Sequence, residues 1–158
     1  ASFEFEGTPR LFRTYTARGA GIEYIIDDGT IAPTAVAGSI AFAPEIVIPA
    51  IETMQERYGK DIYGEYGFLD SFNPSFTFKQ ADLLHGRVTD DNGWVDGDYL
   101  GIDQGPIVLM IENYRSGFIW DVMRRNPHIR KGLERAGFTG GWLQTPASAK
   151  DATVKKDG

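Results

Sequence analysis

Apolar positions in this chain follow a helical period in the middle and give way to punctuation elsewhere. Val47, Ile51, Met54 and Tyr58 are spaced four, three and four residues apart, which puts them on one stripe of an amphipathic helix. Pro44 suits the first turn of that helix and Gly59 is its expected stop, while Pro49 is expected to kink it or move its start. Further along, Ile107 to Ile111 are apolar at every position, the pattern of a helix buried on most sides. This helix is expected over Gln104 to Tyr114, capped by Asp103, with Pro106 tolerated in its first turn. Another is expected from Gly117 to Arg125. Asn126 and Pro127 then supply a cap and a first-turn proline for a last helix, which Gly137 ends.

The remaining segments lack that period. Residues 1–30 resist a helical reading, and alternation in "GIEYIIDDGTI" permits a short strand or extended arm. "GTIAPTAVAGSIAFAP" reads as an ordered loop with a short helical turn. Residues 60–100 are interrupted by Gly64, Gly67, Pro74, Gly86, Gly93 and Gly97 and read mostly as loop, and long ordered loops of this kind are often functional. The expected organisation is one all-α domain over residues 1–142, with long aromatic-rich loops, and a polar tail over 143–158. Few helices are available to cover the run at 107–111, a hint that part of the helical body lies outside this sequence.

Composition narrows the partners. The 158 residues carry a formal charge of −6, which argues against a nucleic-acid groove or an anionic membrane surface, because both reward a cationic face. A neutral partner such as a sugar fits better. No run approaches the length needed to cross a bilayer. "ASFEFEGTPR" lacks the basic and apolar pattern of a signal peptide. There are no cysteines, so no thiolate chemistry is available, and His85 and His128 stand alone without zinc spacing. "DGDYLG" fails as a calcium loop because Leu100 and Ile107 stand at its fifth and twelfth positions. No cofactor and no metal are expected. Ten Phe, seven Tyr and three Trp gather with Gly, Asn and Asp in "IYGEYGFLDSFNPSF" and "DNGWVDGDYLG". Such rings either pack loops onto a helical body or floor a ligand cleft edged by amides and carboxylates.

Four blocks carry a resemblance. "YIIDDGTIAPTAVAGSIAFAPE", "YGEYGFLDSFNP", "YLGIDQGPIVLMIENYRSG" and "RNPHIRKGLERAGF" resemble successive blocks of the glycoamylase-like family of bacterial carbohydrate enzymes. That family includes endo-β-1,2-glucanases, and a similar domain occurs inside cyclic β-1,2-glucan synthases. The resemblance implies an (α/α)6 barrel, two concentric rings of helices with the active site in the cleft at one end. It also implies that these blocks form the C-terminal portion, so the expected partners are the N-terminal part of the same barrel and an oligo- or polysaccharide. A periplasmic or extracellular location goes with this expectation.

Glycoside hydrolysis usually needs two carboxyl groups, one able to donate a proton and one ionised. Asp103, as a helix cap, would accept backbone N–H bonds and feel the positive end of the dipole, both of which lower its pKa. Helix physics alone makes it a cap, whereas the motif "GIDQG" implies the ionised base. Glu112 lies about 13–14 Å further along the same helix and is expected to pair with Arg115. Glu65 shares the aromatic loop with Asp70 and is the candidate acid within the chain, although the leading expectation places the acid upstream of residue 1. Tyr66, Phe68 and Trp94 are the rings expected against sugar faces. Asn73 and Gln104 could give amide bonds to hydroxyls, Arg115 could bond substrate or hold Glu112, and Glu45 could bind a hydroxyl or compensate a helix N-terminus. The expected reaction is hydrolysis of a β-linked glucan, with β-1,2-glucan favoured, by acid/base chemistry with inversion. Glycosyl transfer to another sugar, as in the synthases, and a non-catalytic carbohydrate-binding fragment stay open beside it.

Overall fold

A computed structural model describes residues 2–14, 16 and 27–144. Of the arm expected over 21–31 only the last five residues are described, and of the polar tail only 143 and 144. The described residues are helix-rich, with short strands between the helices. In chain order they form β1 (Ser2–Phe5), β2 (Thr8–Leu11), α1 (Pro33–Ala37), α2 (Pro44–Ile62), β3 (Tyr63–Gly64), β4 (Gly67–Phe68) and β5 (Phe72–Asn73). There follow β6 (Arg87–Thr89), β7 (Gly93–Val95), α3 (Gly101–Ser116), α4 (Phe118–Arg125) and α5 (Pro127–Arg135). They fall into two compact units, Ala1–Arg115 and Ser116–Gly158.

In the first unit α2 buries the stripe read from the sequence. Val47 and Met54 are buried, with Ile51 and Tyr58 half-buried between them. Gly59 does not end the helix. Ile62 lies four residues beyond Tyr58, continues the same stripe and is 1% exposed, so the helix runs on until Tyr63 turns to extended backbone. Pro49 sits inside α2 rather than at its start, and the Thr53 hydroxyl donates to the Pro49 carbonyl at 2.8 Å.

The stretch read as loop holds a three-stranded antiparallel sheet in the order β5-β7-β6, with Phe72 opposite Val95 and Asn73 opposite Trp94. Its strands are two or three residues long, too short to show an alternating pattern in sequence. Alternation still governs what they bury. Val95 and Phe72 join Met54, Ile62 and Phe68 in one apolar cluster, whereas Trp94 joins Phe12 and Phe76 in another. The central strand is buried along its whole length. Gly93 has φ of 69°, and a Cβ there would collide with the Asn73 carbonyl oxygen on the paired strand, so glycine is what allows this approach.

Helix α3 begins earlier than expected. The Leu100 carbonyl accepts from the amides of both Asp103 and Gln104 at 3.0 Å, which places Asp103 in the first turn and not at the cap. The apolar run is not enclosed either. Val108 is 68% exposed, Leu109 47% and Ile111 39%, and Asn113 is the buried residue of this helix. No neighbour among the described residues of this unit covers that face.

The second unit holds α4 and α5, neither with a buried residue. Gly117 precedes α4 with φ of 70°. Asn126 caps α5 as its sequence promised: the side-chain oxygen accepts from the His128 amide at 2.9 Å, with Pro127 in the first turn and Gly137 at φ 83° beyond the end. Arg130 donates to the carbonyls of Trp142 and Leu143 and lies over the Trp142 ring, tying the 3-10 turn Gly141–Gln144 to α5. Removing the cap by Asn126→Ala is expected to cost about 1 kcal/mol. Amide hydrogen exchange across α5 should then be roughly fivefold faster, and unchanged exchange would contradict the cap's role.

Candidate active site

The first turn of α3 carries Asp103 and Gln104 to where the β3–β4 hairpin and the segment after it come closest. Gln104 Nε2 donates to the Phe68 carbonyl at 2.8 Å, pinning the turn to β4. Immediately beyond, Asp70 and Ser71 lead into β5. The Asp70 amide donates to the Asp98 carbonyl at 3.1 Å, and its own carbonyl accepts from the Thr34 hydroxyl at 3.3 Å. Ser71 Oγ donates to Asp70 Oδ2 at 2.7 Å. The Asp70 side chain held by these bonds is near enough to Asp103 to act on its carboxyl.

Burial comes first in the electrostatics here. Burial, then the hydrogen bond with Asp70 and the charge of Asp70, push the Asp103 carboxyl up to about 6. The sequence expectation had the opposite sign, because it assigned Asp103 the cap's amides. Those amides point elsewhere, and a neighbouring carboxylate takes their place. Asp103 Oδ2 is buried and has no hydrogen-bond partner within the described residues. Nearby, Asp96 is 1% exposed and is also shifted upward, chiefly by burial and further by the charges of Asp98 and Asp70. Its Oδ1 accepts from the Asp98 amide at 3.1 Å, and Asp98 in turn lies 3.5 Å from His85 Nδ1.

A cleft of about 190 Å³ opens between α1 and the start of α3. Asp103 forms part of its wall, with Thr34, Ala35, Gly38 and Ser39 from the α1 side and Ile102 and Pro106 from α3. No set of three or more metal-ligating side chains occurs among the described residues. No described helix is long and apolar enough to cross a membrane.

The other residues singled out from sequence divide into exposed and enclosed. Glu65 and Tyr66 are exposed at the tip of the β3–β4 hairpin, and the Tyr66 ring meets Tyr99 edge-on at 5.4 Å. Glu45 is exposed in the first turn of α2, and Arg115 is exposed at the far end of α3. Three expected sugar contacts are enclosed. Phe68 packs with Met54 and Ile62, and Trp94 is 0% exposed with its indole N–H donating to the His85 carbonyl at 3.0 Å. Neither ring has a free face. Asn73 is spent on the chain itself: Nδ2 donates to the Asp28 carbonyl and the Thr30 hydroxyl, while Oδ1 accepts from the Ser75 amide and hydroxyl and the Phe76 amide. The residue that sequence reasoning left in the background is Asp70. Its only signal was the Asp-Ser pair of "FLDSFNP", within a loop already marked by its aromatics.

Comparison with known proteins places this arrangement. The model of the glycoamylase family, described as "Putative glucoamylase", matches residues 3–127. A crystal structure of a "putative glucoamylase" from Bacteroides uniformis is 42% identical with a TM-score of 0.58, over 74% of this chain and 24% of that one. An endo-β-1,2-glucanase from Chitinophaga pinensis, solved with sophorotriose and glucose, is 34% identical with a TM-score of 0.57 over the same shares. The exo β-1,2-glucooligosaccharide sophorohydrolase of Parabacteroides distasonis is 30% identical over 109 residues, 69% of this chain and 13% of its own length. The chain thus spans about a quarter or less of these relatives. The family match takes in Asp70, Asp103 and the helices and sheet around them, and the chain belongs to the glycoamylase family.

Proposed function

We propose that this chain is part of an (α/α)6-barrel glycoside hydrolase that cleaves β-1,2-glucan or its oligosaccharides by acid/base hydrolysis with inversion. Two relatives named for β-1,2-linked substrates support the linkage. The observation that carries the chemistry is the Asp103 carboxyl, which borders the cleft and titrates near 6. A base acts best when its pKa lies near the working pH: it is then ionised, yet holds a proton far more firmly than an ordinary carboxylate. In the step proposed, Asp103 takes a proton from water as the water oxygen bonds to the anomeric carbon. The glycosidic C–O bond breaks, and the leaving oxygen receives a proton from a second carboxylic acid. Glu65, exposed at its hairpin tip, is the candidate for that acid inside the chain. The reading preferred here draws it from the remaining part of the barrel.

The uncovered apolar faces favour that division. Val108, Leu109 and Ile111 on α3 and Ile46 on α2 are exposed in a chain that covers 24% of each of two solved relatives, and exposed apolar faces of this kind mark an interface. Further helices of the barrel would cover it. The test is release of new reducing ends from linear β-1,2-glucan, by this chain alone and by a protein spanning the full length of the relatives. The full-length protein should cleave, and this chain alone should not. A full-length protein that leaves β-1,2-glucan intact would refute the substrate assignment.

A further inference from the structure

We infer that Tyr99 is a positioning residue for Tyr66, and that the two rings form a glucosyl subsite on the β3–β4 hairpin, beside the first turn of α3. The inference rests on the proposed glucan substrate. Tyr66 stands at the hairpin tip, 67% exposed, between the paired residues Gly64 and Gly67. A tyrosine at such a turn is free to change rotamer unless something holds it. Tyr99 does so, meeting it edge to face at 5.4 Å with the ring planes at 84°. In a pair of this kind at most one face of Tyr66 is taken, whichever ring supplies the edge, so the other face is open. Tyr99 is half-buried and lies across the hairpin: a Cβ on Gly64 would collide with its hydroxyl, so glycine at 64 is what leaves room for the ring. Neither tyrosine hydroxyl has a hydrogen-bond partner among the described residues, so both are left for a ligand. The hairpin is also pinned to the turn that carries Asp103. Gln104 Nε2 donates to the Phe68 carbonyl at 2.8 Å, and Tyr99 stands just ahead of Gly101, where α3 begins. A sugar seated on Tyr66 therefore belongs to the chain that passes Asp103. A β-glucosyl ring suits this surface, because its hydroxyls are equatorial: its faces offer C–H to an aromatic ring while its rim meets the phenolic oxygens. Glu65, exposed beside Tyr66, and the net charge of −6 disfavour an anionic sugar.

The test uses a protein spanning the full length of the relatives and carrying Asp103→Asn, so that a β-1,2-gluco-oligosaccharide binds without being consumed and its affinity is read by calorimetry. Tyr66→Ala should weaken binding about tenfold, the scale of one well-placed aromatic contact. Tyr99→Ala and Gly64→Ala should each weaken it about two- to tenfold. Gly64→Ala does so without removing either ring: the atom its Cβ meets is the far end of a side chain, so the Tyr99 ring yields and the backbone stays. Added to Tyr66→Ala, neither change should weaken binding further, because the ring they position is gone. A merely structural role would give the same loss with or without Tyr66. Tyr99→Phe keeps the ring and should restore most of the affinity that Tyr99→Ala loses. With Asp103 restored, the same variants should raise KM and leave kcat within about twofold, as for a contact made alike in the ground and transition states. An oligosaccharide that does not bind, an affinity unmoved by Tyr66→Ala, or losses that add in the double variants would each overturn the subsite. Coupled losses of binding beside a parent that leaves β-1,2-glucan intact would keep the subsite and overturn the hydrolytic reading beneath it.

Discussion

Asp103→Asn is expected to lower β-1,2-glucan cleavage by the complete enzyme by about 10²- to 10⁴-fold, the usual contribution of a positioned general base. The side chain keeps its size, so the loss falls on proton transfer and not on the shape of the cleft. In the unsubstituted enzyme the rate should rise with pH through about 6, because the Asp103 carboxyl must be ionised to accept a proton. The same variant should be more stable than the parent at neutral pH. The folded chain binds a proton at Asp103 up to about 6 while the unfolded chain releases it near 3.8, so the folded state holds more protons in that interval. Stability therefore declines as pH rises from about 3.8 to 6 and stays at the lower level above. Asparagine carries no charge and removes this penalty. Thermal melts at pH 4 and pH 7 provide the check: the variant should gain at pH 7 relative to pH 4. A variant that is inactive and less stable at both would mark Asp103 as structural, since functional groups held against their electrostatic preference are the ones whose removal stabilises.

What the sequence made legible were features written in local spacing. The stripe from Val47 to Tyr58 needs only the period of a helix, and Asn126 with Pro127 needs only the chemistry of a helix start. Features that depend on distant partners were not legible. Nothing near Phe72 or Trp94 states that residues 72 and 95 pair, because the strands are too short to alternate and the pairing spans a long excursion of chain. The Asp103 error has the same origin. Local spacing put Asp103 at the cap, but the Leu100 carbonyl already accepts the first bonds of α3, and burial with a neighbouring Asp70 acts on its carboxyl where free amides were expected. Sequence singled out Asp103, but the direction in which its surroundings push its carboxyl was not readable there. Aromatic residues misled for a related reason: the same rings serve a core or a ligand, and sequence does not say which of Trp94 and Tyr66 is turned inward. The structure buries the first and exposes the second.

Trp94→Ala should cost about 3–5 kcal/mol, the range for deleting a buried aromatic side chain, against a total of about 5–15 kcal/mol for a typical domain. The site gives little room for collapse. The ring meets Phe12 edge-on at 5.1 Å, and Phe12 stacks on Phe76 at 4.0 Å, so one cluster loses its largest member. Gly86 lies so near that a Cβ on it would come within 2.6 Å of the indole nitrogen, which shows how closely the backbone is drawn over the ring. The His85 carbonyl also loses the indole N–H that it accepts. Urea denaturation followed by circular dichroism measures the loss. Trp94→Phe then separates packing from recognition, because it retains most of the buried ring and removes only the N–H and part of the volume. This variant should lose much less stability and bind oligosaccharide as the parent does. A Trp94→Phe protein that unfolds at the parent's urea concentration but binds sugar more weakly would return Trp94 to the cleft. An equal affinity would leave Tyr66, exposed on its hairpin, as the ring free to meet a sugar.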